Sequence, residues 1–222
     1  MNWTEIPAYW FQGITRPEKT VEKMTKHKLS YMDGLKSIFT IGVIAGILIF
    51  VYMQLVASQI PLQSIKDSMV LVSWAGLIMA PVAAIAGLLL WSLLFRMVSS
   101  KLKGKSNFDQ TCGMFGLWFG MMSIASIPAV IFSVIGALIG MASSNAIVMY
   151  LLVGIGALIS TALSGITTGV LYDTIAGNEK FSIPRSGLLY GLSGGLASFI
   201  LMLVFAIIAS MYGLTGLTTI GV

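Results

Sequence analysis

The chain has 222 residues, of which 57% are hydrophobic and only 9% charged, with a formal net charge of +5. A water-soluble domain carries roughly 25% charged residues, so this composition excludes an ordinary soluble globule and points to a chain embedded in a membrane. One cysteine and one histidine exclude an intramolecular disulfide and a His-rich metal site.

Residues 1–37 read as a cytoplasmic or interfacial segment. Basic residues together with Glu18 and Glu22 occupy the stretch where a signal peptide would need its apolar region, so the first span is expected to be retained. Trp3, Ile6, Tyr9, Trp10 and Phe11 read as interfacial anchors. Thr15-Arg16-Pro17-Glu18 predicts a helix start, with Thr15 as N-cap, Glu18 closing a capping box and Pro17 in the first turn. Val21, Met24, Tyr31 and Met32 then recur at helical spacing while Lys19, Lys23 and Lys26 lie largely elsewhere, which predicts a short amphipathic helix on the membrane surface. Arg16, Lys19, Lys23 and Lys26 are the candidate contacts, either to anionic lipid headgroups or to a docked partner protein.

A membrane-crossing helix needs roughly 20 mostly apolar residues. Five uncharged runs meet that length, at about 38–56, 69–95, 113–140, 146–171 and 188–212. The expected fold is an all-α membrane protein, a five-transmembrane-helix bundle over 38–212 with a cytoplasmic N-terminal amphipathic helix before it and an external tail over 213–222. Twelve of the thirteen Lys and Arg residues fall before the first span or in the loops after the second and fourth; Lys66 alone lies on the other side. Positive residues stay preferentially inside, so the N-terminus is expected in the cytoplasm and the C-terminus outside, and the whole net charge faces the anionic headgroups of the inner leaflet. Tyr52, Trp74, Tyr150 and Tyr212 near outer ends, and Trp91, Trp118, Tyr172 and Tyr190 near inner ends, fit two interfacial belts.

In the loop before the third span Asn107 is placed to cap, with Gln110 as its reciprocal partner. Before the fifth, Ser182 is the expected cap and Pro184 sits in the first turn. Gly104 with Phe108 and Gly177 with Phe181 share one spacing, which hints at a parallel repeat of two helical hairpins.

At bilayer depth the expected spans carry no ionisable residue, so the usual sign of proton coupling or a charged ion pathway is missing. Glycines four apart are abundant: Gly42 and Gly46, Gly116 and Gly120, Gly136 and Gly140, Gly165 and Gly169, Gly187 with Gly191, and Gly191 with Gly195. Such pairs let helices approach closely, within one chain or between copies. Pro81 and Pro128 sit mid-span and free the carbonyls of Leu77 and Ile124, giving either static kinks or a hinge or lipid-sized cleft. Ser123 and Ser126 lie near enough to fill the second gap, and Ser160, Thr161, Ser164, Thr167 and Thr168 can bond back to their own helix. His27 lies among lysines, Cys112 reads as structural, and no acid pair, nucleophile elbow or phosphate loop occurs. No catalytic, cofactor-binding or metal-binding residue and no nucleic-acid partner is expected.

Arg16-Pro17 followed by Thr20 and Met24, Gly104 and Phe108 ahead of the third span, and Ser126-Ile127-Pro128 within it resemble the Yip family of Ypt/Rab-interacting membrane proteins in its prokaryotic form. The resemblance covers nearly the whole chain. It implies a cytoplasmic N-terminal region, a five-helix bundle in a prokaryotic cell membrane and association with other membrane proteins. Eukaryotic members bind prenylated small GTPases. Their Asp-Leu-Tyr-Gly-Pro motif has no counterpart here and their N-terminal region is much longer, so small GTPase binding is not carried over.

The expected function is a non-enzymatic scaffold or adaptor that organises membrane-protein partners or lipids. The competing readings are a small passive transporter or lipid-handling protein, and an accessory subunit of a permease.

Overall fold

The computed structural model describes residues 1–26, 29–58, 63–143 and 146–211. His27, Lys28, Tyr212 and the expected tail lie outside the described residues. The rest forms helices: α1 (Glu5–Thr15), α2 (Pro17–Lys26), α3 (Tyr31–Ser58), α4 (Gln63–Lys101), α5 (Phe108–Ser143), α6 (Ala146–Glu179) and α7 (Ile183–Met211). There is no strand among the described residues.

Four helices are long and apolar enough to cross a membrane, over Tyr31–Gln54, Lys66–Lys101, Phe108–Gly136 and Ile147–Glu179. They contain most of the first four expected runs but extend beyond them, chiefly at one end. There α4 continues through Arg96 to Lys101 and α6 through Asp173 to Glu179, because helix–helix packing persists past the apolar zone. The fifth expected run falls on α7, a helix from Ile183 to Met211. With the loops after α4 and α6 and the two N-terminal helices, the described basic residues other than Lys66 gather at one end of the bundle, the basic end.

The core sits toward that end. Every residue from Thr111 to Trp118 on α5 is buried, so this stretch has no lipid-facing stripe and must be enclosed by protein all round. α5 packs on α3, α4 and α6, with α7 against α4 and α6. α1 closes over α5, and α2 lies on α6.

Several expectations are corrected here. Thr15 caps nothing; it ends α1, and its hydroxyl donates to the Phe11 carbonyl at 2.9 Å. Arg16 takes the position ahead of α2, its carbonyl accepting the Thr20 N–H, because Pro17 has no N–H to continue α1 and is suited to a first helical turn. α2 stops at Lys26, so Tyr31 and Met32 belong to α3. Ile6 and Trp10 are buried in the core rather than anchored at an interface. Of the four inner-end aromatics Trp118 is buried and the other three are half-buried, and they pack on one another. Trp91, Trp118 and Tyr190 meet ring to ring at 5.5–6.0 Å, and Tyr172 reaches Tyr190 at 5.6 Å, joining four helices through edge-to-face and tilted ring contacts. At the other end Tyr52, Trp74 and Tyr150 are exposed.

Candidate functional site

The four N-terminal cations separate into two kinds. Lys23 donates to Gln12 Oε1 at 2.9 Å and stands 5.5 Å above the Tyr9 ring, tying α2 to α1. Lys26 pairs with Glu22 one turn back at 2.6 Å, which holds the Glu22 carboxyl below its usual range. Arg16 and Lys19 are exposed. Beside Lys23, burial pushes the Tyr9 hydroxyl up to about 12, with the Asp33 carboxylate adding to the shift.

Under this hairpin lies a chain of polar contacts that the sequence did not disclose. The Trp10 indole N–H donates to Ser37 Oγ at 2.9 Å, and Ser37 donates to the Gly116 carbonyl at 2.6 Å. A Cβ at Gly120 would fall on the Trp10 indole, against Nε1. Of the Gly116–Gly120 pair, then, Gly120 seats α1 and Gly116 meets α3 at Gly34.

Each mid-span proline is met by a neighbouring helix. Opposite Pro81 stands Gly42 of α3, where a Cβ would reach Pro81 Cα at 2.5 Å; at Gly46 it would reach the Leu77 carbonyl oxygen at 3.0 Å. That oxygen is the one Pro81 deprives of a helical donor. Near Pro128, the Ala129 N–H donates to Ser160 Oγ of α6 at 2.9 Å. The outcome differs from expectation: Ser123 and Ser126 bond their own helix, to the Phe119 and Ser123 carbonyls, and Ser160 acts across helices. By contrast Gly165, Gly169, Gly191 and Gly195 face open space.

At the basic end the two loops meet. Asn107 and Gln110 form the expected reciprocal cap, Asn107 Oδ1 accepting the Gln110 N–H at 2.9 Å and Gln110 Oε1 the Asn107 N–H at 3.4 Å. Glu179, 1% exposed, accepts the Ser106 N–H at 3.2 Å and also the Ser106 hydroxyl. Gly104 lies against this carboxylate and Ser99 Oγ, so any side chain there would displace both. Phe108 starts α5 and packs on the core. The Gly104–Phe108 and Gly177–Phe181 spacings are not structurally equivalent, because Gly104 follows α4 whereas Gly177 is inside α6. The real correspondence is between Lys103 and Lys180, both left-handed, at φ 62° and 58°. Each occupies the left-handed position of a Schellman turn that ends a helix: the Gly104 N–H bonds the Ser99 carbonyl, and the Phe181 N–H the Ala176 carbonyl. Glycine is the usual residue there, and a lysine gives no turn signal in sequence.

Among the described residues no group of His, Cys, Asp and Glu is placed to hold a metal ion. Compared with protein-family models, curated proteins and solved structures, the chain has no match.

Proposed function

We propose that the chain is a Yip-like multi-pass scaffold or adaptor of a prokaryotic cell membrane. In this reading α7 is the fifth span, the basic end is cytoplasmic, and the C-terminus is external. The observation that carries it is the division among the glycines. Gly42, Gly46, Gly116 and Gly120 are consumed by contacts within the chain, whereas Gly165 with Gly169 on α6 and Gly191 with Gly195 on α7 are bare. Helices associate in lipid through such close-approach faces, so two of them remain for another membrane protein or another copy. Arg16 and Lys19 add exposed positive charge at the level of the headgroups.

Mild-detergent purification from native membranes, with mass spectrometry of the proteins and lipids retained, tests this. The expected result is a reproducible partner or self-assembly that Gly165→Leu with Gly169→Leu abolishes while the monomer stays folded, there being open space at both sites. Reconstituted protein that moves a solute unaided would sink the scaffold reading.

One observation favours lipid handling as the second reading. An apolar groove of about 410 Å³ between α3 and α5 is lined by Trp10, Ile41, Ala45, Ser123, Ile127 and Ile131, close to Pro128. Its apolar lining suits an acyl chain. A single tightly held lipid, lost on Ala45→Phe, would favour this reading.

A further inference from the structure

A cavity of about 520 Å³ opens at the basic end between the loop after α4 and the loop after α6. Five of its eight lining residues are cations, Lys101, Lys103, Lys105, Lys180 and Arg185, with Glu179 as the only acid. None of the five forms an ion pair among the described residues. Glu179 forms no ion pair with them; its carboxylate accepts the N–H and hydroxyl of Ser106, and its single charge leaves four of the five cations unbalanced in the lining. Like charges converge here in excess of the one acid present, from segments almost eighty positions apart in sequence.

The backbone supplies a second, independent observation. Lys103 and Lys180 both hold left-handed conformations, which cost a side chain-bearing residue stability that glycine would not lose. Glycine would end both helices without this cost, yet a lysine stands at both positions. The cost falls twice, on lysines in matching turns, and both line the same cavity. Arg185 is also held in place: it donates to the Leu102 carbonyl at 3.2 Å and lies 4.6 Å from the Phe181 ring centroid.

The helices that leave the cavity carry exposed apolar side chains within a few turns, Leu93 and Met97 on α4 and Ile183 and Leu188 on α7. A ligand here would meet positive charge at the helix ends and hydrocarbon-compatible surface beside them. Basic pockets between helices at the headgroup level are suited to anionic lipid heads. We propose that this cavity is a binding site for a phosphate group, that of an anionic phospholipid, with Lys103, Lys180 and Arg185 as its principal contacts. It is separate from the N-terminal cations, and it does not depend on the scaffold reading, because lipid retention and protein association are measured apart.

The test titrates full-length protein in detergent with phosphatidic acid, phosphatidylglycerol and phosphatidylcholine, read by native mass spectrometry, with inorganic phosphate as competitor. The protein is expected to retain the two anionic lipids over phosphatidylcholine. Lys103→Gly with Lys180→Gly should weaken that retention about 10- to 30-fold while the lipid-free thermal midpoint stays equal or rises, since the strain is relieved. Should that pair fail to fold, Lys101→Gln with Lys105→Gln is expected to lower retention in the same direction. Unchanged lipid preference in folded cavity variants would overturn the proposal, as would a preference lost only on neutralising Lys19, Lys23 and Lys26. Displacement of lipid by equimolar inorganic phosphate would identify a soluble phosphate as the ligand and overturn the lipid assignment.

Discussion

The indole of Trp10 donates to the hydroxyl of Ser37 at 2.9 Å, joining an N-terminal helix to the start of the first long apolar helix. Both residues are buried and the Ser37 hydroxyl in turn donates a hydrogen bond to the Gly116 carbonyl, so removing either partner has unequal consequences. Ser37→Ala leaves the indole N–H without an acceptor and should cost about 1–3 kcal/mol. Trp10→Phe removes the donor and most of the need for it, and should cost about 0.5–1.5 kcal/mol. The double variant should lose less than the two singles added together. Thermal unfolding in one detergent, with protease protection of α1 as a second readout, checks the order; equal and additive losses would contradict the relay.

Two classes of glycine should respond with opposite sign. At Gly42 a methyl group meets backbone at Pro81 Cα, which cannot step aside, so Gly42→Ala should destabilise by roughly 1–3 kcal/mol. At Gly165 or Gly191 nothing lies within 4 Å. There alanine meets no obstacle and should stabilise the helix by roughly 0.5–1 kcal/mol. Thermal midpoints of the three single variants decide the matter.

Charge and hydropathy made the four long helices and their common basic end legible in the sequence, and the Asn107–Gln110 cap was readable because both of its halves are local. What the sequence withheld depends on contacts between distant segments. Trp10 and Trp118 have the chemistry of interfacial anchors, and only the closure of α1 over α5 and the convergence of four helices turn them inward. Glycine spacing marked helix-contact faces but could not say which were occupied; that follows from which helix lies opposite, as Pro81 does at Gly42. Lys103 and Lys180 gave no turn signal, since lysine rarely takes a left-handed position. Their meeting in one cavity follows from the tie between the loop after α4 and the end of α6, made by Ser106 and Glu179.

The region after Pro128 offers a coupling test. Ser160 accepts the Ala129 N–H across the α5–α6 contact, and Ser160→Ala should orphan that donor at a cost of about 1–3 kcal/mol. Pro128→Ala restores a helical donor at 128 and lets Ala129 turn back to its own helix. The loss from Ser160→Ala should therefore shrink in the Pro128→Ala background. A double-mutant cycle by thermal unfolding measures the coupling, and a cycle that closes to zero would show that Ser160 and the proline act independently.

The junction of α1 and α2 should weaken at high pH through Tyr9. Its hydroxyl is raised from 10.0 to about 12, first by burial and then by the Asp33 carboxylate, so the folded chain holds this proton more tightly than the unfolded one. Below pH 10 the two states are protonated alike and the contribution is fully present. Between 10 and about 12 the unfolded chain ionises first, and stability is lost as pH rises. Ionised Tyr9 would also stand beneath Lys23, 5.5 Å from the ring, which softens the loss without reversing it because the burial that opposes ionisation is the larger cause. The thermal midpoint should fall across this interval in the wild type and fall less steeply in Tyr9→Phe. Tyrosinate absorbance in the folded protein, compared with Tyr9→Phe, should place one titration above the ordinary range, and its absence from the difference would remove Tyr9 as the source.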